Sequence, residues 1–207
     1  GPESPLHGLS DLKLSGDGGF VAVSDAGDLV RGVLRLDARG RLIGLDRLAS
    51  RELTLEDGRP IASKIDGDAE GLALTRSGDL LVSFERRHRI WNYGEPRRPR
   101  AMPLPVRSPD TTFVLNDGME GIATGPDGWR VAGESGGVWD CSAARCVVVV
   151  APGTPIPDSD YRITGKRGSM FYFSIVANAM RYHIDGSAHA TGSLTDDEIA
   201  WGPGGEV

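Results

Sequence analysis

The chain has 207 residues, enough for one well-cored domain or two small ones, and its 39% hydrophobic and 25% charged residues are ordinary for a soluble globular protein. A net charge of −6 weighs against nucleic acid or an anionic membrane as the main partner, and no apolar run reaches the roughly 18 residues of a membrane helix. The 29 glycines and 13 prolines recur at short intervals, which fits many short strands joined by tight turns better than long helices.

In chain order, Gly1-Pro2 reads as the cleavage scar of an expression tag and is set aside. Leu12 and Leu14 alternate with polar residues, a Gly/Asp turn follows, and Phe20 to Val23 form an apolar run, so residues 8–25 predict a hairpin. A second hairpin is predicted from Val33–Leu36 and Arg41–Leu45 around Asp37-Ala38-Arg39-Gly40, giving a four-stranded meander. Residues 46–67 are polar and irregular, and read as a connection with one poor strand near Ile61.

The design then repeats. Leu72–Leu74 and Leu80–Phe84 flank Arg76-Ser77-Gly78-Asp79, with His88–Tyr93 as a third strand and a Pro/Arg-rich link over 95–109. In the next unit Ile122–Thr124 and Trp129–Ala132 flank Gly125-Pro126-Asp127-Gly128, and Gly137–Trp139 and Val147–Val150 complete it. A fourth, weaker copy starts at Tyr161–Gly165, continues through Met170–Ser174 and 179–184, and turns at Asp185-Gly186; the tail holds one strand-like piece at Ile199-Ala200-Trp201. No helix is expected. Four-stranded units about 40 to 50 residues apart are the signature of an all-β propeller, here small or incomplete with about four to five blades in a single domain over 8–207. A β-sandwich is the alternative, but it does not predict the repeat described next.

Two units open alike, with Asp68-Ala69-Glu70-Gly71-Leu72-Ala73 and Gly118-Met119-Glu120-Gly121-Ile122-Ala123, and both close on a glutamate, Glu85 and Glu134. Folding each hairpin about its turn sets Glu70 opposite Glu85, Glu120 opposite Glu134 and Ser10 opposite Asp25. If these strands are the inner ones of successive blades, the acidic pairs meet at one mouth of the channel. Carboxylates gathered there repel and take up protons unless a cation joins them, and oxygen donors without His or Cys favour a hard ion such as Ca2+. The expected ligands are Glu70 and Glu120, with Asp25, Glu85, Asn116 and Glu134 in direct or water-mediated contact. The glycine after each Glu removes a side chain where the backbone crowds the axis. The plainer reading is that each Glu-Gly is a strand-entry turn whose carboxylate caps nearby amides; the fourth unit offers only Thr164 and Ser174 at these places.

At these stretches the chain resembles the phytase-like family described as having esterase-like activity, a group of exported bacterial β-propellers. The resemblance is carried by Gly8-Leu9-Ser10 with Ala22–Asp25, residues 68–73 with Val82–Arg86, His88–Trp91, Asn116–Gly121, and Asp160–Gly165, in the family's order over about residues 8–165. Family members are usually longer, with further blades after the last of these stretches, so the chain reads as a shortened member. The resemblance implies a periplasmic or secreted hydrolase.

Arg86, Arg87, His88 and Arg89 follow Glu85 directly and form a candidate basic rim beside the acidic floor, suited to phosphate; a solvated strand is the ordinary alternative. The expected activity is cation-dependent hydrolysis of a small phosphoester or carboxylate ester, with Glu85, Arg86, His88 and Arg89 as candidate catalytic residues. The alternatives are a non-catalytic propeller module with a structural metal and a lactonase-like sugar-acid hydrolase. For serine chemistry, the hairpin pairing sets no histidine beside Ser10, Ser24 or Ser83, and His183 and His189 read as surface residues. Trp91 and Trp139 occupy comparable third-strand positions and read as blade packing. Cys141 and Cys146 bracket four residues; a small disulfide-closed loop, which suits an exported protein, and a pair of reduced thiols both fit that spacing.

Overall fold

The computed structural model describes residues 8–15, 18–113, 115, 118–125, 127–134, 136–152, 170–175 and 178–183, the last two segments by backbone alone. Three four-stranded antiparallel sheets follow one another, each a simple meander: β1 (Leu9–Leu14), β2 (Gly19–Ser24), β3 (Asp28–Leu36) and β4 (Leu42–Glu52); β5 (Ala69–Leu74), β6 (Leu80–Phe84), β7 (Arg89–Gly94) and β8 (Leu104–Val106); β9 (Gly121–Thr124), β10 (Trp129–Ala132), β11 (Val138–Cys141) and β12 (Cys146–Val150). A hairpin of β13 (Met170–Ile175) and β14 (Asn178–His183) follows, as expected for the middle of the fourth unit. The first strands of the three sheets lie side by side, β1 against β5 and β5 against β9, and β13 of the next hairpin lies against β9, which is the arrangement of propeller blades around an axis.

Blade two shows why its strands read as continuous apolar runs. Both of its faces are covered, so neighbouring residues of β6 enter different cores. Leu80, Val82 and Phe84 pack toward blade one with Val21, Val23, Leu29, Leu72, Trp91 and Tyr93. Leu81 packs toward blade three with Ala73, Ile90, Met119, Ile122, Trp129 and Trp139. Each such fully buried large side chain contributes about 1.5–3 kcal/mol. Trp91 and Trp139 are thus both blade packing, 6% and 3% exposed.

Polar contacts stitch the inner strands together. Leu72 N–H donates to Asp11 Oδ2 across blades one and two (2.9 Å). Ser83 Oγ donates to the Met119 carbonyl (2.9 Å) and Thr124 Oγ1 to the Leu74 carbonyl (2.5 Å) across blades two and three. Gly71 marks the closest approach: a Cβ there would lie 2.8 Å from Ser83 Oγ, 3.0 Å from the Glu120 carbonyl oxygen and 3.1 Å from Ile122 Cγ2.

Three expectations need correction. The polar stretch after residue 45 is not all connection, because β4 runs on to Glu52 along the whole of β3. The Pro/Arg-rich link contains the fourth strand of blade two, β8, whose short Leu-Pro-Val run gave no periodicity to read. A single helical turn, α1 (Lys64–Gly67), precedes β5; at four residues it is too short to show an apolar stripe. The strand read at Tyr161–Gly165, the Asp185-Gly186 turn and the piece at Ile199–Trp201 lie outside the described residues.

Gly71→Ala is expected to force the blade-two and blade-three inner strands apart and lower stability by about 1–3 kcal/mol, read as a fall in the midpoint of chemical denaturation. An unchanged midpoint would contradict the close approach of β5 to β9.

Candidate functional site

The register of the inner hairpins differs by one residue from the simple fold-over, and this difference builds the site. β5 and β6 turn about Ser77 as a three-residue loop, with Gly78 at φ +89° and Gly78 N–H bonded to the Thr75 carbonyl. Leu72 therefore faces Val82, and Glu70 is an extra, bulged residue between the paired Ala69 and Gly71. Glu85 then faces Asp68 instead of Glu70, donating its N–H to the Asp68 carbonyl (2.7 Å). The equivalent bonds recur as Asp25 N–H to Gly8 O (2.7 Å) and Glu134 N–H to Gly118 O (3.1 Å). Asp25, Glu85 and Glu134 are thus equivalent places in three blades. Asp68 stands where the other two blades carry Gly8 and Gly118.

Those two glycines leave room for acids. A Cβ at Gly8 would fall 2.0 Å from Asp25 Oδ1; one at Gly118 would fall 2.8 Å from Glu85 Cγ and 3.2 Å from His88 Nδ1. Blade two thereby passes Glu85 and His88 against the entry of blade three. The His88 ring also packs 5.2 Å from Phe113.

Two groups of carboxylates result, Asp68 with Glu70 and Glu85, and Glu85 with Glu120 and Glu134; within each, one oxygen per residue lies within 4.8 Å of the others. Glu85 belongs to both. Oxygen ligands of Ca2+ at roughly 2.3–2.6 Å span just such separations, and the donor set is all hard oxygen, so the residues fit a hard divalent ion. Asp68 is 1% exposed, and its Oδ1 accepts no hydrogen bond among the described residues, although the Lys64 ammonium lies 3.3 Å away.

Burial raises three of these acids above the ordinary carboxylate range, and their mutual repulsion adds to it. Glu70 is pushed up to about 8 by burial, then by Asp68 and Glu85. Glu85 is pushed up to about 7 by burial, Asp68 and Glu134. Glu120 is pushed up to about 9 by burial, Glu70 and Glu134. Left to themselves, Glu70 and Glu120 hold their protons at neutral pH, and Glu85 is poised at it.

Of the expected ligands, Glu70, Glu85, Glu120 and Glu134 come together. Asp25 reaches the same mouth but is paired with Lys64 (2.9 Å), which also serves Asp68 from one helical turn earlier. Asn116 lies outside the described residues. On the basic rim, Arg86 Nε donates to Asp68 Oδ2 (2.5 Å), and His88 borders Glu85. Arg89 is engaged elsewhere: its guanidinium stacks 4.0 Å over Phe84 and 4.1 Å over Trp91, and it donates to the carbonyls of Arg87 and Asp66, pinning α1. Asp68 is the acid missed from sequence. Two signals pointed to it: it lies two residues before Glu70, and it replaces a glycine when the copies are superposed.

Protons held by Glu70, Glu85 and Glu120 in the folded chain are released in the unfolded one, whose carboxyls titrate near 4.5. In chelator this stabilisation is complete below about pH 4.5 and is lost as pH rises through about 7 to 9. The melting temperature in chelator is expected to fall between pH 5 and 9, and a saturating divalent ion to remove most of that fall. A flat or rising profile in chelator would contradict the burial of these acids.

No curated protein matches the chain in sequence. An X-ray structure provisionally named a gluconolactonase is similar over 93% of this chain and 65% of its own, at 14% identity and a TM-score of 0.48; the chain thus spans under two thirds of that protein's length. The family model for phytase-like proteins, described as the esterase-like activity of phytase, matches residues 4–165. This is most of the chain, and the protein belongs to the phytase-like family.

Proposed function

We propose that this protein is a divalent-cation-dependent ester hydrolase, acting on a small phosphoester or carboxylate ester at the acidic mouth between blades two and three. The observation that carries the reading is the convergence of two carboxylate groups from adjacent blades on one shared residue, Glu85. Glu70, Glu85 and Asp68 on one side, and Glu120 and Glu134 on the other, would hold the ion, with Ca2+ the best match to the donor set. Held there, the ion would supply Lewis-acid polarisation of an ester oxygen and a more acidic bound water.

The chain's own groups have distinct work. Glu85 holds its proton to about 7 in the metal-free chain and would give it up on becoming a ligand. His88, against the Gly118 gap beside Glu85, is placed to orient it or to take up the proton it gives. Arg89 serves shape, fixing α1 and hence Lys64 and Asp68. The Cys141–Cys146 disulfide, joining facing residues of β11 and β12, supports a periplasmic or secreted setting.

One observation favours a second reading, a binding module with a structural metal. The candidate ligands come from both blade two and blade three, so an ion there would also fasten the blades together.

Turnover of p-nitrophenyl phosphate, p-nitrophenyl acetate and a sugar lactone, each with Ca2+ and with chelator, separates these readings. Cation-dependent turnover of one substrate is expected. Glu70→Gln and Glu120→Gln should each weaken the ion by about 10- to 100-fold or more and lower turnover in parallel. An ion that raises the melting temperature while no ester is turned over would favour the binding module. No effect of ion or chelator on either would remove both readings.

A further inference from the structure

Arg86 is one of two described non-glycine residues with a left-handed backbone, at φ 57°. Arg87 N–H bonds back to the Glu85 carbonyl (2.6 Å), closing a tight γ-turn around it, a conformation that is rare because it is strained. The turn sends the Arg86 side chain back over the acidic mouth, where Nε is spent on Asp68 Oδ2. Among the described residues the two terminal nitrogens of the guanidinium make no hydrogen bond, and the side chain is 27% exposed. Lys64 flanks Asp68 on its other side, 54% exposed, so two cationic heads converge on one buried aspartate at the edge of the glutamate cluster.

A structural ion pair with Asp68 alone would not need an arginine, since Lys64 already supplies a point charge. What arginine adds is a planar fork that can hold a carboxylate through one nitrogen and present the others to a second oxyanion. We propose that Arg86, assisted by Lys64, is an oxyanion subsite beside the cation cluster, and that the substrate therefore carries a phosphoryl or carboxylate group next to the bond that is cut. This rests on the hydrolase reading for its meaning in turnover but not for its binding test.

Electrostatics adds a condition. Even with Glu70 and Glu120 protonated, Asp25, Asp68, Glu85 and Glu134 outnumber Lys64 and Arg86 at this mouth, so an anion is repelled until a divalent ion is present. Anion and cation should therefore bind with positive, reciprocal coupling.

The test is thermal melting of the full chain with inorganic phosphate, with and without Mg2+, whose phosphate stays soluble at millimolar levels. Phosphate is expected to raise the melting temperature of the Mg2+-loaded wild type and to do little in chelator. Arg86→Gln should lose the phosphate increment while keeping the Mg2+ increment, and Arg86→Lys, which keeps the charge but not the fork, should retain part of it. Acetate acting as strongly as phosphate would support the subsite and assign it to carboxylates. No phosphate increment in the wild type, or an equal one in Arg86→Gln, would overturn the proposal; should Arg86→Gln not fold, an equal increment in Arg86→Lys would do so. A missing Mg2+ increment would count against the cation reading, and a phosphate effect lost with Arg86 would then still support the subsite.

Discussion

Carboxylates brought out of water and close to one another must either keep their protons or share a cation. Everything at this mouth follows from that constraint. Glu70 and Glu120, held to about 8 and about 9 by burial and by their acidic neighbours, are neutral acids at pH 7 in the absence of an ion. Asp68, buried beside them, is paired instead with two cations, Lys64 and Arg86. The mouth is thus divided. Toward blade one, acids and bases offset each other; toward blade three, acids gather without equal compensation. The proposed divalent ion would sit in the second half.

The backbone devices that create this division are small. A bulge at Glu70, a three-residue turn at Ser77, glycines at 8 and 118, and a γ-turn at Arg86 each move one side chain by one position. They are tolerated because the strands beside them are fixed by two apolar cores, one on each face of blade two. Rigid blades with irregular inner ends are a sound way to hold like charges together, since the cost of crowding is met by packing elsewhere.

Much of this was legible in the residues. The meanders could be read because Leu80–Phe84 and its counterparts are apolar runs bounded by Gly/Asp turns, and the acidic mouth because Glu-Gly recurs at strand entries. The pairing of Glu85 was not, since fold-over about a turn assumes an unbroken register, whereas a bulge and a left-handed glycine each shift it by one. The consequence was that Asp68 stayed hidden behind Glu70. The fate of the basic rim was also hidden: four consecutive residues, Arg86 to Arg89, look alike as a charge run, yet the turn sends Arg86 to Asp68, Arg87 to Asp66, His88 toward blade three and Arg89 onto Phe84 and Trp91. Strand β8 and helix α1 are too short for any periodicity to mark them.

The central claim is that buried, protonated glutamates give way to a cation. Calorimetric titration of the metal-free protein with Ca2+ at pH 7, repeated in buffers of different ionisation enthalpy, reads this directly by counting protons. Binding that releases about one proton or more per chain is predicted, as ligands must ionise to accept the ion. Absence of binding, or binding with no release of protons, would contradict it.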